Sequence, residues 1–207
     1  MPTPFETVRQ GYDVIGERYR DRSHLNPIRL ERVAALLSLL PRPGSLVLEL
    51  GCGPGEPATR LLSEQHRVVG VDASEAQLRL AQRSAPAALL VQADMTNFAV
   101  RDGSVDAVAS FYALGHVQAA QHPQMFLAIA RWLRPGGIFL TSAPLLQGDN
   151  QVDDWFGVPM FFGGIGEAAT KAAVTEAGLQ VEDWRVIAED EGGGNTVRFL
   201  WMTARKN

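Results

Sequence analysis

The stretch VLELGCGPGEP, residues 47–57, determines the fold class of this chain. It begins inside a short, mainly apolar run, Leu46–Leu50, that a cluster of glycine and proline follows at once. Such a run, bounded by turn residues, is typical of a strand buried on both faces of a parallel sheet. Gly51, Gly53 and Gly55 then turn the chain, because glycine reaches backbone angles closed to other residues and lets a ligand approach the backbone. The stretch therefore predicts a strand and a glycine-rich loop, which is either a ligand site or a plain tight turn.

A similar pattern recurs along the chain, where apolar runs alternate with helix-like stretches. Further strands are predicted at residues 67–71, 87–91, 105–111 and 138–141. Helices are predicted at residues 27–40, 74–83, 123–133 and 167–177, from the spacing of apolar residues and from residues that favour a helix start, such as Ser74 and Pro123. In the first of these helices the spacing predicts a buried face at Leu30, Val33, Ala34 and Leu37.

The last two predicted strands, residues 181–188 and 196–204, are separated only by the acidic, glycine-rich stretch 189–195. Strands joined this closely form an antiparallel hairpin, because a parallel connection needs a crossover of about a dozen residues. The whole pattern predicts one domain, residues 1–207, of the α/β class. Its sheet is expected to be doubly wound and mostly parallel, with helices on both faces and an antiparallel pair at the end.

The composition is that of a globular domain, with 46% hydrophobic and 20% charged residues. The formal net charge of -4 argues against bulk DNA or RNA as a partner, because phosphate neutralisation needs a surplus of Lys and Arg. A single cysteine, Cys52, excludes an intramolecular disulfide. The N-terminal residues lack the apolar stretch of a signal peptide, and no window reaches the ~18 apolar residues of a membrane span. We therefore expect a cytoplasmic protein without a membrane partner.

Two acidic residues follow the second and third predicted strands, at the same edge of the sheet as the glycine loop. Asp72 ends the run VVGVD and Asp94 ends the run LLVQAD. Acids at the carboxyl ends of consecutive strands converge on one crevice, where Asp72 could accept hydrogen bonds from both ribose hydroxyls of a nucleoside. Glu56 occupies the place of the third glycine in the nicotinamide-dinucleotide fingerprint, and its charge would repel a pyrophosphate at a helix start. The sequence thus predicts a nucleoside ligand without a diphosphate.

These residues resemble the class I S-adenosylmethionine-dependent methyltransferases, in particular the small bacterial type-11-like members. The resemblance extends from Tyr12 to the end of the chain and is specific in ELGCGPG (49–55), VD (71–72), AD (93–94), VDAVASFYALGHV (105–117) and WLRPGG (132–137). It implies S-adenosylmethionine as cofactor, S-adenosylhomocysteine as product, and a seven-stranded sheet whose last strand is antiparallel. The cofactor-binding residues that it implies are Tyr19, Glu49, Gly51, Gly53, Gly55, Asp72, Ala73, Asp94, Met95, Ser110 and Phe111. Among these, Asp72 is expected to bind the ribose, Asp94 with the Met95 amide the adenine, and Glu49 the amino group through water or the loop.

His116 and Tyr112 are the candidate catalytic residues, because both follow the fourth predicted strand and should lie beside the cofactor. Methyl transfer mainly requires orientation of the acceptor, and a general base is needed only when the acceptor arrives protonated. An imidazole with a pKa near 6.5 suits that task, although His116 could equally be a buried histidine with satisfied hydrogen bonds. Tyr12 and Tyr19 look like N-terminal lid tyrosines, or else they only pack. The remaining histidines form no ligand set with Cys52, so no metal is expected.

The acceptor is expected to bind under two covers, the N-terminal helices in residues 1–40 and an irregular segment inserted at residues 144–166. The segment is rich in aromatic and apolar residues that are not normally left in water. It could be a substrate lid, a dimer contact or part of the core. The substrate-binding residues that we predict are Tyr12, Trp155, Met160, Phe161 and Phe162.

Three functions remain open from the sequence. The first is a small-molecule methyltransferase whose acceptor has an aromatic or apolar part, with no nucleic-acid partner and a monomeric or homodimeric state. The second is a protein or nucleic-acid methyltransferase, against which stand the net charge and the absence of an added recognition domain. The third is a protein that binds S-adenosylmethionine or S-adenosylhomocysteine without methylating anything.

Overall fold

The computed structural model describes residues 2–23, 26–190 and 196–207. The helices are α1 (Pro4–Ile15), α2 (Glu17–Ser23), α3 (Pro27–Leu39), α4 (Ala58–Ser63), α5 (Glu75–Ser84), α6 (His122–Trp132) and α7 (Gly166–Glu176). The strands are β1 (Leu46–Leu50), β2 (Arg67–Asp72), β3 (Leu89–Gln92), β4 (Val105–Ser110), β5 (Leu133–Pro144), β6 (Gln147–Trp155), β7 (Val158–Ile165), β8 (Leu179–Asp190) and β9 (Thr196–Lys206).

Seven strands form one sheet in the order β3-β2-β1-β4-β5-β9-β8. The pairs from β3 across to β5 are parallel, and β9 is antiparallel to both of its neighbours, β5 and β8. The prediction of a mostly parallel sheet with an antiparallel last strand is therefore confirmed. Because β1 and β4 lie side by side at the reversal of strand order, their carboxyl ends open onto the crevice where such sheets bind ligands.

Apolar residues are buried on both faces of the sheet, as the continuous apolar runs predicted. On one face Leu48 and Phe139 pack with Phe126 of α6 and Val174 of α7. On the other face Val47, Leu140 and Trp201 pack with residues of α3 and α4, among them Leu36 and Leu62. A parallel sheet needs this double cover, since neither of its faces is polar enough to meet water.

The predicted irregular segment at residues 144–166 is instead a second, two-stranded antiparallel sheet of β6 and β7. Trp155 pairs with Val158 across a two-residue turn, in which Phe156 and Gly157 both have positive φ, 54° and 82°. That is the geometry of the tight turns that suit the twist of a hairpin, but their usual first residue is Asn, Asp or Gly. The prediction was wrong because phenylalanine at this position gives no turn signal.

Helix α3 begins where it was predicted, at Pro27 after its cap Asn26, but its buried face is different. Leu30 and Ala34 are exposed, and Arg29 and Arg32 are buried beside Val33 and Leu36. The guanidinium groups of the two arginines lie over the rings of Tyr112 and Trp201, 4.6 and 5.8 Å from the ring centroids. A cation over an aromatic face explains how these arginines replace apolar residues in the helix interface.

The predicted C-terminal hairpin is present as β8 and β9, which pair from Leu179 opposite Lys206 to Asp190 opposite Thr196. Of the predicted turn at 189–195, residues 189 and 190 belong to β8, and residues 191–195 lie outside the described residues. Within the described part of the chain, no helix combines the length and the apolar character needed to cross a bilayer.

Candidate nucleoside and acceptor site

The glycine loop after β1 is held in place by the aspartate that ends β2. Gly51, Gly53 and Gly55 all have positive φ, 70°, 55° and 78°. The amide of Gly53 donates to Oδ2 of Asp72 at 2.8 Å, and the amide of Ser74 donates to Oδ1 at 2.9 Å. A Cβ on Gly51 would collide with the side chain of Ala113, so no larger residue fits there. The loop and Asp72 therefore form one hydrogen-bonded unit at the carboxyl ends of β1 and β2.

Gly55 serves helix packing. A Cβ at this position would lie 2.7 Å from Oγ of Ser84 and 3.0 Å from Cα of Ala81, both on α5. Gly53 is different, since a Cβ there would meet only Cε1 of Tyr19, at 3.7 Å. Of the three predicted cofactor glycines, Gly51 and Gly53 line the cavity beside Asp72 and Gly55 does not.

Two adjoining cavities, of about 130 and about 60 Å³, lie along the carboxyl ends of β1 to β4, and together we call them the nucleoside cleft. Seven of the predicted cofactor residues line it: Tyr19, Gly51, Gly53, Asp72, Ala73, Met95 and Phe111. An eighth, Asp94, also lines it, and its Oδ1 accepts from the amide and hydroxyl of Thr96, both at 2.8 Å. The Asp72 and Asp94 carboxylates and the glycine loop thus lie along the same edge of the sheet.

Helix α1 and the segment after β4 complete the nucleoside cleft, and sequence reasoning missed most of this lining. Thr3, Phe5 and Val8 from the start of α1 cover one side, while Val117 and Gln118 form part of the other. Helix α1 begins with a reciprocal cap between Thr3 and Glu6, in which each side chain bonds the other residue's backbone amide. That capping pattern was readable in the sequence, but it gives no signal of where the helix docks.

Glu49 and Ser110 are brought close to the site without lining it. Glu49 is 2% exposed, and its Oε2 accepts from the Thr59 hydroxyl at 2.7 Å. Burial raises the pKa of Glu49 to about 7. Ser110 is fully buried, and its carbonyl accepts from the Thr141 hydroxyl at 2.8 Å. Both residues lie beneath the cleft, where they support the loop and the end of β4.

A third and larger cavity, of about 630 Å³, adjoins the nucleoside cleft, and we call it the acceptor cavity. Its apolar wall comes from the end of β5, the β6–β7 hairpin and β9, through Pro144, Leu146, Trp155, Phe162 and Phe199. Its polar side carries Asn26, Arg29 and Glu189, and Arg198 lies on its lining as an exposed residue. Three of the five predicted substrate residues, Tyr12, Trp155 and Phe162, thus line this cavity.

Met160 and Phe161 do not line the acceptor cavity. Both are buried in a small core cluster with Val8 and Ile15 of α1, so this part of β7 fastens the N-terminal helix to the hairpin. For Met160 and Phe161 the structure therefore agrees with the alternative that this segment is part of the core. The apolar character that predicted a ligand surface belongs here to a helix–hairpin interface.

Four residues line both the nucleoside cleft and the acceptor cavity: Tyr12, Tyr19, Tyr112 and His116. The ring of Tyr12 meets Tyr19, His116 and Trp155 edge to face, with centroid distances of 5.1, 5.3 and 5.6 Å. We call these four residues the junction. The two candidate catalytic residues and the two candidate lid tyrosines are therefore brought to one place.

Both ring nitrogens of His116 have partners. Nε2 lies 2.8 Å from the Tyr12 hydroxyl, and Nδ1 lies 2.9 Å from the carbonyl oxygen of Phe161. Burial lowers the pKa of His116 to about 4, so the ring is neutral at pH 7. Burial also raises the pKa of Tyr12 well above its ordinary value, which keeps its hydroxyl protonated.

Tyr112 has a positive φ of 63°, which is uncommon for a residue with a side chain. Its hydroxyl donates to Oε2 of the buried Glu189 at 2.5 Å, and its amide donates to Ser142 at 2.7 Å. Asn26 also donates to the same Glu189 oxygen, at 3.2 Å, and Trp201 donates to the other oxygen at 2.9 Å. Strained backbone held by several such contacts is common at functional sites.

Arg29 is the residue of the site that sequence reasoning missed most clearly. It is 6% exposed, lines the acceptor cavity and lies over the Tyr112 ring. Its hydrogen bonds are two long ones, to the Tyr19 hydroxyl at 3.3 Å and to the carbonyl of Glu56 at 3.5 Å, while Nε has none. No carboxylate among the described residues lies within ion-pair distance of it. A buried guanidinium with free donors is suited to bind an anion.

No group of three or more histidine, cysteine, aspartate or glutamate side chains in residues 2–23, 26–190 and 196–207 is arranged to hold a metal ion. The groups that the site itself brings together are of four kinds. These are a hydrogen-bonded glycine loop, two carboxylates at strand ends, a buried guanidinium and a phenol paired with an imidazole.

The fold and this site define a Rossmann-like methyltransferase architecture. Residues 47–137 match a family model described as a methyltransferase domain. A trans-aconitate 2-methyltransferase of Variovorax paradoxus is 33% identical over 131 residues, which are 61% of this chain and 47% of that protein. Residues 47–137 of this chain are therefore similar to a methyltransferase domain, and its relatives include proteins named as a probable S-adenosylmethionine-dependent methyltransferase and as trans-aconitate 2-methyltransferases.

Solved structures share the fold. A 1,6-didemethyltoxoflavin-N1-methyltransferase of Burkholderia thailandensis, with 1,6-didemethyltoxoflavin and S-adenosylhomocysteine bound, superposes with a TM-score of 0.72 at 22% identity, over 100% of this chain and 92% of that one. The [4+2]-cyclase SpnF superposes with a TM-score of 0.73 at 17% identity, over 99% and 96% of the two chains. At such identities the likeness shows the fold alone. This chain also spans only 31%, 38% and 49% of the length of three curated relatives that it matches.

Proposed function

We propose that this protein transfers the methyl group of S-adenosylmethionine to a small organic molecule held in the acceptor cavity. The observation that carries the proposal is the junction, the four side chains that a cleft of nucleoside-binding type shares with a cavity of about 630 Å³. That volume lies within the range of about 300–1,000 Å³ typical of small-molecule sites.

The residues present fit the cofactor at each of its ends. Each oxygen of the Asp72 carboxylate accepts one backbone amide, and a carboxylate has about four lone-pair sites, so it can also accept from ribose hydroxyls. Asp94 and Met95 line the part of the nucleoside cleft beyond Asp72, where an adenine ring would lie. Arg29, whose Nη1 and Nη2 make only long hydrogen bonds, would hold the carboxylate of the amino-acid end.

When bound, S-adenosylmethionine supplies a methyl group on a positively charged sulfur, which is a good leaving group. The chain's own residues then have to hold the acceptor in line with that methyl group. Orientation of this kind can supply ~7–11 kcal/mol of the barrier to reaction. The four junction residues occupy the position at which such orientation would be imposed.

The acceptor cavity supports an acceptor with an apolar or aromatic part and a polar end. Trp155, Phe162 and Phe199 contribute aromatic rings to its lining, while Arg29 contributes hydrogen-bond donors. The relatives named trans-aconitate 2-methyltransferase and the toxoflavin-precursor methyltransferase support a small acceptor in the same way. We also propose that α1 and the β6–β7 hairpin act as the cover of this cavity and that the protein works in the cytoplasm.

The test has two steps, cofactor binding and label transfer. S-adenosylhomocysteine should bind to the purified protein in calorimetry, and label from methyl-labelled S-adenosylmethionine should enter the low-mass fraction of a size-separated extract of the source cells. Label in the macromolecular fraction would contradict the choice of acceptor. S-adenosylhomocysteine binding without any label transfer, tested with extracts of cells grown under several conditions, would favour a non-methylating enzyme on this fold. The structural neighbour named as a [4+2]-cyclase is an example of another activity on this fold.

A further inference from the structure

The two hydrogen bonds of His116 fix the position of its proton. The partner of Nδ1, the Phe161 carbonyl, can only accept, so Nδ1 carries the proton. In a neutral imidazole the other nitrogen, Nε2, is then an acceptor. The Tyr12 hydroxyl, 2.8 Å from Nε2, must therefore donate its own proton to it. The chain of donors runs in one direction, from Tyr12 to His116 to Phe161.

This order determines what Tyr12 can offer to a ligand. Its only proton is directed at His116, so the rest of its oxygen presents lone pairs, with the Tyr19 hydroxyl beside it. Tyr12 lines both the nucleoside cleft and the acceptor cavity, which places this oxygen at the point where the two meet. An oxygen of this kind attracts a hydrogen-bond donor, so it favours an acceptor that arrives with a hydroxyl or N–H group.

Several other groups lie around the Tyr12–His116 pair. Tyr19 from α2, Asp72 at the end of β2 and Arg29 from α3 are the titratable groups that act on Tyr12. Around His116, apart from Tyr12, the neighbouring side chains are the rings of Trp155 and Phe162, with centroids at 6.1 and 5.1 Å. The imidazole thus sits in an apolar surrounding, where its two hydrogen bonds decide its state.

We propose that Tyr12, and not His116, contacts the acceptor and that the two residues form a proton relay of fixed direction; this rests on the proposed function. The acceptor's O–H or N–H bond breaks and its proton passes to the Tyr12 oxygen, while Tyr12's own proton passes to Nε2 of His116. The electron pair of the acceptor atom forms the bond to the methyl carbon, and the pair of the carbon–sulfur bond stays with sulfur. The positive charge of the sulfonium ends on the His116 imidazolium, which later releases its proton to solvent.

This assignment changes the role expected from the sequence, in which His116 acted on the acceptor directly. It also explains how a base as weak as the His116 imidazole serves at this site. The acceptor atom becomes strongly acidic as its new bond to carbon forms, so the relay has to take a proton only late in the reaction. Tyr12 is then the residue that contacts the acceptor, and His116 is a positioning residue that receives the proton through it.

The first test is spectroscopic and needs no acceptor. Protein with nitrogen-15 histidine is studied with and without S-adenosylhomocysteine, and His116 is assigned by comparison with His116→Gln. We expect a neutral ring with the proton on Nδ1, and a Tyr12→Phe variant whose Nε2 resonance moves towards that of an unbonded, unprotonated ring nitrogen. A proton on Nε2 in the wild type, or no response of Nε2 to Tyr12→Phe, would overturn the relay.

The second test uses the transfer of label from methyl-labelled S-adenosylmethionine to the low-mass product as the readout. Tyr12→Phe and His116→Gln should each lower kcat, measured at saturating S-adenosylmethionine, by at least about 100-fold, and the double variant should be no worse than either. Additive losses would mean that the residues act separately. Failure of S-adenosylhomocysteine to bind the wild type would refute the proposed function, whereas the histidine spectra would still report on the pair.

Discussion

At the scale of single residues, the buried guanidinium of Arg29 gives the sharpest expectation. Replacing Arg29 by Gln should weaken binding of S-adenosylhomocysteine by about 10- to 100-fold, since hydrogen bonds to charged groups contribute ~1.5–3 kcal/mol. Binding of 5′-methylthioadenosine, which lacks the amino-acid end, should be unchanged. Calorimetry with both ligands measures the difference.

A matched control is Arg79→Gln, which removes an exposed arginine whose partner is Glu75 on the same helix. Such surface pairs contribute little, so both affinities should stay as in the wild type. An equal loss for both ligands in Arg29→Gln would show that Arg29 shapes the fold of the site. Unchanged affinity for both would contradict a contact between Arg29 and the carboxylate of the cofactor.

Asp72 gives a second expectation at this scale. Asp72→Ala should weaken the binding of S-adenosylhomocysteine by about tenfold or more. We expect the carboxylate to accept hydrogen bonds from the ribose, and it also accepts one from the Gly53 amide at 2.8 Å. The control is Asp102→Ala, which removes an exposed aspartate remote from the site. An unchanged calorimetric affinity in Asp72→Ala would remove this residue from the cofactor site.

At the scale of the elements, Asp13 is the fastening of α1 over the nucleoside cleft. Its Oδ1 accepts from the Ser74 hydroxyl at 2.7 Å and from the Ala76 amide at 3.2 Å, at the start of α5. Its Oδ2 pairs with Arg9, one turn earlier on α1, at 3.0 Å. The side chain thus helps to cap one helix while it belongs to another.

Asp13→Ala should therefore loosen α1 without unfolding the domain. Loss of a capping contact costs about 1 kcal/mol, so local opening of Pro4–Ile15 should become roughly fivefold more frequent, and S-adenosylhomocysteine should dissociate faster. Hydrogen exchange of the α1 amides and stopped-flow release measure the two effects. Glu17→Ala, which removes the exposed pair between α2 and Arg83 of α5, should change neither. Equal exchange in the Asp13 variant and the wild type would contradict this role.

The elements also show where sequence reasoning succeeds. The glycine loop, the acids Asp72 and Asp94 and the alternation of strands and helices follow local rules, and the structure has them in the expected order. The β6–β7 hairpin was missed because its turn is formed by Phe156 and Gly157. The buried face of α3 was missed because its arginines are held by rings that lie far away in the sequence, at Tyr112 and Trp201.

At the scale of the whole molecule, the same distinction applies to the site. The residues at each strand end could be predicted from the local sequence. The polar side of the acceptor cavity, however, joins Asn26 and Arg29 with Glu189, which lies about 160 residues further along the chain. The Tyr12–His116 pair likewise joins residues 104 positions apart. Such contacts depend on how α1 and α3 dock onto the sheet, which no local pattern encodes.

The pH dependence of stability is a property of the whole molecule, and it is influenced by the shifted pKa values of the buried Glu49 and of the partly buried Asp72 and His116. Burial raises the pKa of Glu49 from 4.5 to about 7 and that of Asp72 from 3.8 to about 6, so the folded state binds more protons than the unfolded chain. Their contribution to stability is therefore lost as the pH rises through these values. The pKa of His116 is lowered from 6.5 to about 4, so this group acts in the opposite direction. Its contribution to the stability of the protein is lost as the pH falls below 6.5.

Glu49→Gln separates the contribution of Glu49 from that of the other two groups. Glutamine can still accept the hydrogen bond of Thr59 but carries no charge, so the variant should gain stability relative to the wild type as the pH rises from 5 to 8. A rise in pKa from 4.5 to about 7 corresponds to an upper value of about 3 kcal/mol, and loss of the attraction to Arg29 reduces it. Denaturant unfolding at pH 5, 6, 7 and 8 measures the difference, with the exposed Glu64→Gln as control. A difference between variant and wild type that is the same at every pH would show that Glu49 titrates as an ordinary glutamate, and that its burial is compensated by the charge of Arg29.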